Sequence, residues 1–145
     1  VEDESIDLAV SNYVLEHVEK PDSFFSECHR VMKPGGFVCL QTPNKYSYIS
    51  IIASLVPNRF HAGITSKVQY GRRADDVFPT FYRCNTKRAV RKCMHKAGFD
   101  VTVLRHEAEP SYLQFSSLAY RLGVIGHRLM PPPLASTLQI YARKR

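Results

Sequence analysis

Two short stretches decide the fold: IDLAVSNYVLEHV at Ile6–Val18 and VMKPGGFVCLQTPN at Val31–Asn44. Each contains a few consecutive apolar residues of the kind that favours strands, and each then changes to small polar residues. Buried parallel strands show this pattern where they end and deliver loops to a binding site. We therefore predict two neighbouring parallel strands whose polar ends meet at one edge of a sheet.

The residues between these strands predict a helix. Pro21 and Asp22 favour a helix start, and apolar side chains then recur at helical spacing: Phe24, Phe25, Cys28, Val31 and Met32. Lys33–Gly36 ends the helix, because the residue before a proline avoids helical geometry and glycine accepts positive φ. Strand–helix–strand units with short loops are parallel and right-handed in nearly all cases. The strands Ile6–Ser11 and Phe37–Gln41 should therefore end on the same sheet edge.

The second half of the chain begins with a loop-like insertion at residues 45–84 and a capped helix. Asn85 and Thr86 cap a helix at Lys87–Ala97, which Gly98 ends. One helix face is apolar, with Ala89, Val90, Cys93, Met94 and Ala97. The other face is basic, with Lys87, Arg88, Arg91, Lys92 and Lys96. This pattern predicts a helix that covers a core with its apolar stripe.

Two more strands and a helical stretch complete the chain. Phe99–Arg105 alternates as a strand, and Thr137–Ala142 forms a last strand before a solvated tail at Arg143–Arg145. Between them, residues 111–130 form a helical segment with apolar side chains interrupted by Arg121, His127 and Arg128. These charges argue against a membrane span. The segment either packs onto the sheet or lies on a membrane surface.

Length, charge and cysteine spacing limit the functional classes. The 145 residues suit a single domain at 1–145, and the net charge of +7 favours acidic partners. The four cysteines have no CxxC spacing, which predicts reduced structural thiols, no zinc site and a cytoplasmic setting. Because Val1 comes first and an apolar strand follows within six residues, we expect a truncated start without a signal or transit peptide.

Several pieces together resemble a known enzyme family. IDLAVS at Ile6–Ser11, VLEHV at Val14–Val18, VMKPGG at Val31–Gly36 and KAGF at Lys96–Phe99 follow one another at a specific spacing. They resemble the second half of class I S-adenosylmethionine-dependent methyltransferases, in the small-molecule branch that includes the ubiquinone O-methyltransferases. The resemblance implies an α/β fold: the C-terminal half of a Rossmann-like sheet, with strands four, five, six and an antiparallel strand seven and flanking helices.

The resemblance also implies a partial domain with S-adenosyl-L-methionine as its cofactor. In that family a glycine-rich loop after strand one holds the methionine end of the cofactor, and an acidic residue after strand two binds the ribose. No stretch here replaces that loop, since Gly35 and Gly36 lie at a helix exit and Gly123 and Gly126 lie in a helical segment. The insertion at 45–84 corresponds to the place where the family builds its substrate cover, although structural padding is the alternative.

The loop after the first strand supplies the candidate cofactor contacts. By resemblance, Ser11, Asn12 and Tyr13 lie beside the cofactor, with Glu16 in the turn that follows; a polar strand exit without a ligand is the alternative. His17 is the candidate catalytic base, because an imidazole titrates near neutral pH. A cofactor or supporting contact, or a capping or packing role, explains His17 equally well, since methyl transfer depends mainly on alignment.

The acceptor side is predicted from the end of the second strand. Asn44 and Tyr46, with Lys45 between them, follow that strand and point by the same edge argument toward the substrate, although Pro43-Asn44 is also a simple turn. The ubiquinone O-methyltransferases have an acidic residue where this chain has Tyr13, in a proposed metal site. We therefore expect no metal ion here.

Two functions from different classes remain. The first is methyl transfer to a small-molecule or lipid-linked acceptor, with possible peripheral contact to a membrane surface and without a nucleic-acid partner. The second is a non-catalytic module whose basic helix face at Lys87–Lys96 binds anionic lipid or nucleic acid, although a solvated surface also explains that face. The residue pattern identifies neither the acceptor nor an oligomeric state.

Overall fold

The computed structural model describes residues 1–47, 50–51, 79–106, 113 and 116–145 of the chain. Within these ranges, strands and helices follow one another in the predicted order. The strands are β1 (Ile6–Asn12), β2 (Met32–Pro43), β3 (Phe99–His106) and β4 (Thr137–Lys144). The helices are α1 (Pro21–Val31), α2 (Lys87–Lys96) and α3 (Ser117–Leu129). Short 3-10 turns lie at Leu15–His17 and Pro132–Leu134.

The four strands form one mixed sheet in the order β1-β2-β4-β3. β1 and β2 run parallel, as predicted, with Asn12 opposite Gln41 at their carboxyl ends. β4 is antiparallel to both of its neighbours, which confirms the predicted direction of the last strand. Among the strands that the structure describes, β1 therefore lies at an edge, and its carboxyl end lies beside that of β2.

The second strand begins earlier than predicted. β2 starts at Met32 rather than Phe37, and its pairing with β1 is irregular, since Met32 lies opposite Ile6 and Phe37 lies opposite Leu8. The intervening Lys33–Gly36 bulges out of the ladder. Gly35 has a φ of +79°, so the predicted positive φ is confirmed at this position.

One face of the sheet is covered by α1 and α2 and forms the core. Phe25 of α1 and Val90 and Met94 of α2 are fully buried against the sheet. The strand residues that they cover include Val38, Leu40, Phe99, Val103, Leu138 and Ile140. This arrangement confirms the predicted apolar stripes of the two helices and the inward alternation of β3, and it holds β1 and β2 in register.

The opposite face, which we call the open face, is largely exposed. It carries Leu8, Val10, Phe37, Leu104 and Tyr141, whose exposed fractions lie between 45% and 71%. The prediction of a buried first strand is therefore wrong for Leu8 and Val10. The cause is topological: consecutive strand residues point to opposite faces, and α1 and α2 cover one of those faces.

The C-terminal residues also differ from prediction. Lys144 belongs to β4 and is 7% exposed, whereas Arg143–Arg145 was predicted to be a solvated tail. Its ammonium group donates hydrogen bonds to the Glu4 carboxylate (3.0 Å) and to the Met32 carbonyl (2.9 Å). A paired and hydrogen-bonded ammonium can be buried, so this lysine joins the N-terminal turn to the start of β2.

The helical segment predicted at 111–130 contains α3, whose apolar stripe does not pack onto the sheet. α3 has no buried residue. Its apolar stripe is between 53% and 78% exposed and consists of Leu118, Leu122, Ile125 and Leu129. The prediction that this stripe packs onto the sheet is therefore wrong. Tyr112 and residues 114–115 lie outside the described residues.

The turn between α2 and β3 is built around Gly98. This glycine has a φ of +94°, and a Cβ placed on it would lie 2.8 Å from Nε2 of His29. The His29 ring also meets the Phe99 ring edge-on, with 5.3 Å between their centroids. Gly98 therefore provides both the left-handed backbone that ends α2 and the space that the His29 ring of α1 occupies.

We expect Gly98→Ala to lower the free energy of unfolding by more than about 1–2 kcal/mol, the cost of a left-handed alanine alone, because the methyl group would also displace His29. Gly126→Ala in α3 is the matched control, since no atom lies within 4 Å of its added Cβ. It should be neutral or stabilise by about 0.5–1 kcal/mol. Urea titrations of both variants test this, and equal effects would contradict it.

Burial lowers the pKa of His29 from 6.5, and the positive charge of Lys144 contributes to the shift. The unfolded chain therefore takes up this proton at a higher pH than the folded chain. Stability should then decrease as the pH falls through about 6.5, and His29→Gln should reduce that decrease. Urea midpoints measured across this pH range test the effect. His106→Gln, at an exposed position of β3, is the control for replacing a histidine. Parallel curves for wild type and His29→Gln would refute it.

Candidate functional site

The candidate site lies at the carboxyl ends of β1 and β2. These ends are adjacent because the strands are parallel, and three further segments meet there: the 3-10 turn Leu15–His17, residues 79–85 and residues 133–136. Ligands in open α/β sheets bind at such strand ends. The predicted residues Ser11, Asn12 and Tyr13 are thus brought to one place by the end of β1.

The backbone at Tyr13 turns the chain away from the sheet. Its φ is +53°, an uncommon conformation for an aromatic residue. The Tyr13 amide donates to the Gln41 carbonyl (2.9 Å), and the Gln41 amide donates to the Tyr13 hydroxyl (3.3 Å). The Tyr13 side chain is 41% exposed. These two hydrogen bonds hold the ring at the end of β2, where a ligand at the strand ends would contact it.

A shallow depression runs along the open face beside these strand ends. Its lining residues are Val10, Ser11, Asn12, Cys39, Leu40, Gln41, Gln139 and Tyr141, of which Ser11 and Leu40 alternate toward the covered face of the sheet. Ser11 is half-buried and Asn12 is exposed in this wall. The depression therefore offers one polar and apolar wall of a binding site, made from three strands.

Glu16 belongs to a buried polar network. It is 4% exposed, and its carboxylate accepts a hydrogen bond from the Thr42 hydroxyl (3.0 Å). The same hydroxyl accepts from the Asn85 amide (2.6 Å), and Thr42 and Asn85 are fully buried. Because Thr42 both donates and accepts, it joins the 3-10 turn to the segment before α2. The predicted cofactor contact of Glu16 stays a prediction, and its burial favours a supporting role.

Asn85 leaves one polar atom of this network unsatisfied. Its amide nitrogen also approaches the Pro43 carbonyl (3.3 Å), but Oδ1 is buried without a hydrogen-bond partner among the described residues. Buried polar atoms are nearly always hydrogen-bonded, so the Asn85 amide lies here at an energetic cost.

His17 is oriented by the chain segment that returns to the site. Its Nδ1 lies 2.9 Å from the Pro79 carbonyl oxygen, which can only accept a hydrogen bond. In the neutral ring, this contact assigns the hydrogen to Nδ1. The ring is half-buried. This tautomer is the one that a general base acting through Nε2 requires.

Both ends of the insertion predicted at 45–84 are fixed at the site. The Lys45 amide donates to the Asn85 carbonyl (2.8 Å), and the amides of Phe81 and Tyr82 donate to the Glu16 carbonyl (2.8 and 3.2 Å). Burial raises the pKa of Tyr82, and the charge of Glu16 adds to the effect. The insertion thus leaves and rejoins the fold beside the strand ends. Residues 48–49 and 52–78 of the insertion lie outside the described residues.

Asn44 and Tyr46 differ in accessibility. Asn44 is 2% exposed, and its amide nitrogen donates to the carbonyls of Pro133 (2.9 Å) and Ala135 (2.8 Å) while its side-chain oxygen accepts from the Tyr46 amide (3.2 Å). Tyr46 is 60% exposed. The geometry of Asn44 favours the structural alternative, a turn that holds the connection to β4, whereas Tyr46 is accessible. Acceptor binding by either residue stays a prediction.

Neither a metal-binding cluster nor a reactive thiol is found among the described residues of this site. In the part of the chain that the structure describes, no group of three His, Cys, Asp or Glu residues could hold a metal ion. Burial raises the pKa values of Cys28, Cys84 and Cys93. Their thiols therefore stay protonated at neutral pH, which suits the predicted structural role.

Sequence reasoning missed Thr42 and Asn85 as site residues. Thr42 was predicted only as part of the strand end, and Asn85 only as a helix cap with Thr86. The structure confirms the cap at Thr86, whose hydroxyl accepts from the Ala89 amide (3.2 Å), and assigns Asn85 to the network. No local sequence pattern could show this, because Thr42 and Asn85 are hydrogen-bonded to each other but separated in sequence by the insertion.

We expect Thr42→Val to lower the free energy of unfolding by about 1–3 kcal/mol, because Glu16 and Asn85 would lose their common partner inside the protein. Thr42→Ser keeps the hydroxyl and should retain more of this stability than valine does. Thr102→Val, at an exposed position of β3, is the control. Urea unfolding measures all three, and an unchanged midpoint for Thr42→Val would contradict the network's role.

Part of the chain is similar in sequence to known methyltransferases. Residues 1–40 match the family model described as a methyltransferase domain. A Mycolicibacterium smegmatis protein named "Probable S-adenosylmethionine-dependent methyltransferase" is 41% identical over 46 residues, which are 32% of this chain and 18% of that protein. The mitochondrial ubiquinone biosynthesis O-methyltransferase of Rattus norvegicus is 36% identical over 64 residues, 44% of this chain and 18% of the relative.

The fold has a wider match than the sequence. A S-adenosylmethionine-dependent methyltransferase from Thermotoga maritima aligns with 100% of this chain and 58% of its own, with a TM-score of 0.58 and 17% identity. The chain thus spans less than two thirds of that structure and about a fifth of each curated relative. Residues 1–40 match the methyltransferase domain family model, and the chain has a Rossmann-like α/β fold similar to that of the Thermotoga maritima structure.

Proposed function

We propose that this chain forms the acceptor-side part of an enzyme that transfers a methyl group from S-adenosyl-L-methionine to a small-molecule or lipid-linked acceptor. The observation that carries the proposal is the polar end of β1. Ser11, Asn12 and Tyr13 lie beside the end of β2, next to a depression, and belong to the segment that the methyltransferase family model matches. The cytoplasmic setting belongs to the same proposal.

The residues present fit one side of a cofactor site. The depression has the polar residues Asn12 and Gln41 beside the aliphatic residue Val10, but it is open, whereas small-molecule sites enclose most of their ligand. Gly35 and Gly36 lie in the bulge at the start of β2, away from the carboxyl ends of β1 and β2 where the candidate site lies. We therefore propose that the glycine-rich cofactor loop comes from sequence outside these 145 residues, as part of a longer domain.

His17 is proposed to accept the proton that an acceptor hydroxyl or amine loses. Bound S-adenosylmethionine supplies an electrophilic methyl carbon on a sulfonium, so the acceptor's electron pair forms the new bond while the carbon–sulfur bond breaks. The contact with the Pro79 carbonyl orients the His17 ring through Nδ1, and Nε2 is the ring nitrogen proposed to take the released proton. An acceptor that attacks without losing a proton would not need His17.

The acceptor side is proposed to lie under the insertion. The contacts of Lys45 with Asn85, and of Phe81 and Tyr82 with Glu16, fix both ends of residues 45–84 beside the strand ends. Binding loops are commonly attached to rigid scaffolds in this way, which supports the proposal. Tyr46, which is exposed at the first anchor, is the residue proposed to contact the acceptor.

In a longer form of the protein, Asn12→Asp and Tyr13→Ala should weaken S-adenosylmethionine binding about tenfold, since each removes contacts worth roughly one hydrogen bond. Arg88→Ala, on the exposed basic face of α2, is the control and should leave affinity unchanged. Titration calorimetry with S-adenosylhomocysteine measures the three affinities. Equal losses in all three variants would remove the assignment of this edge to the cofactor.

The same longer protein should transfer a labelled methyl group in a screen of phenols, amines and prenylated quinols. With an acceptor that loses a proton, His17→Gln should lower kcat about 10²-fold or more and flatten the acidic limb of the pH–rate profile. His95→Gln, a histidine of α2 outside the site, is the matched control. An unchanged pH profile for His17→Gln would exclude the base role while leaving methyl transfer intact.

A further inference from the structure

Helix α3 presents an apolar stripe to solvent. Leu118, Leu122, Ile125 and Leu129 follow one another at intervals of four, three and four residues, which places them on one helix face. Their exposed fractions are 67%, 60%, 53% and 78%, respectively, and no residue of α3 is buried. Four large apolar side chains in a row on a surface helix indicate an interaction surface rather than scattered exposure.

Basic residues flank this stripe. Arg121 and Arg128 are both exposed, and because they lie seven residues apart they project from the same side of α3, next to the stripe. The sequence has no Asp or Glu from Ser111 to Arg145, and the whole chain has a net charge of +7. An apolar stripe bordered by arginines, without a compensating acidic residue, complements a surface that is both apolar and anionic.

We propose that α3 binds the surface of an anionic phospholipid bilayer, with its axis in the plane of the membrane and its leucines in the acyl boundary. No helix in the described part of the chain is long and apolar enough to cross a membrane. A second copy of the chain fits the stripe less well, because stripe-to-stripe pairing would also bring the arginine-flanked surfaces of two cationic chains together.

The position of α3 connects this surface to the candidate site. The helix ends at Leu129, and the residues that follow it are held by the Asn44 amide, which donates to the carbonyls of Pro133 and Ala135. The end of β2 and the lipid-binding helix therefore share one anchor. The inference rests on α3 itself and holds whether or not the protein transfers methyl groups.

The absence of tryptophan from the chain allows a direct test. Leu122→Trp should show a blue-shifted emission with vesicles of phosphatidylcholine containing about 30 mol % phosphatidylserine, and little shift with phosphatidylcholine alone. Leu104→Trp is the matched control, since Leu104 is 48% exposed on the open face of the sheet. No shift for Leu122→Trp, or an equal shift for Leu104→Trp, would overturn the proposal.

A second pair of variants separates lipid binding from self-association. The double variant Leu122→Glu with Ile125→Glu should lower the vesicle-bound fraction in flotation about tenfold or more, and Arg121→Gln with Arg128→Gln should reduce the dependence of binding on salt. Both pairs are exposed, so circular dichroism should show an unchanged fold. A fall in sedimentation mass with unchanged flotation would assign the stripe to a protein interface instead and overturn the proposal.

Discussion

The hydroxyl of Thr42 is the contact on which the candidate site depends. It donates to Glu16 and accepts from Asn85, so one buried group joins the end of β2 to the turn after β1 and to the segment before α2. Three parts of the chain that are distant in sequence are thereby held at one sheet edge. Because these partners are buried, removal of the Thr42 hydroxyl would leave the Glu16 carboxylate and the Asn85 amide without this hydrogen-bond partner inside the protein. The polar strand end at Asn12 and Tyr13 lies beside that network.

The regular elements followed from the sequence, and the exceptions have a common physical cause. Apolar periodicity predicted α1, α2 and all four strands, because each element must bury one face. Periodicity does not show whether another layer covers the second face, so Leu8 and Val10 were predicted to be buried. Lys144 was predicted as solvated because its partner Glu4 is remote in sequence. The Asn85 contact was missed for the same reason.

The site residues divide into two groups that the sequence alone did not separate. Asn12, Tyr13 and Tyr46 are accessible, whereas Glu16 and Asn44 are buried and engaged with other parts of the fold. Both groups lie at or just after the carboxyl ends of β1 and β2, as predicted, because the expectation that ligands bind at strand ends concerns only the position of the backbone. Whether a polar side chain at such a position meets a ligand or braces the backbone depends on tertiary partners. The matched segment at residues 1–40 contains the first strand and its turn, whereas Tyr46 and the insertion lie beyond it.

The hydrogen bond between Lys45 and Asn85 bears on how the chain between these two residues can change in evolution. It closes the insertion at its base, so the sheet does not depend on the length or composition of what lies between. Loop-closure entropy grows slowly, and doubling the length of such a loop costs only about 0.6 kcal/mol. Mutation and recombination can therefore exchange the insertion in a single event while the strand ends stay intact. The segment between these two residues can therefore evolve separately from the strand ends to which it is attached.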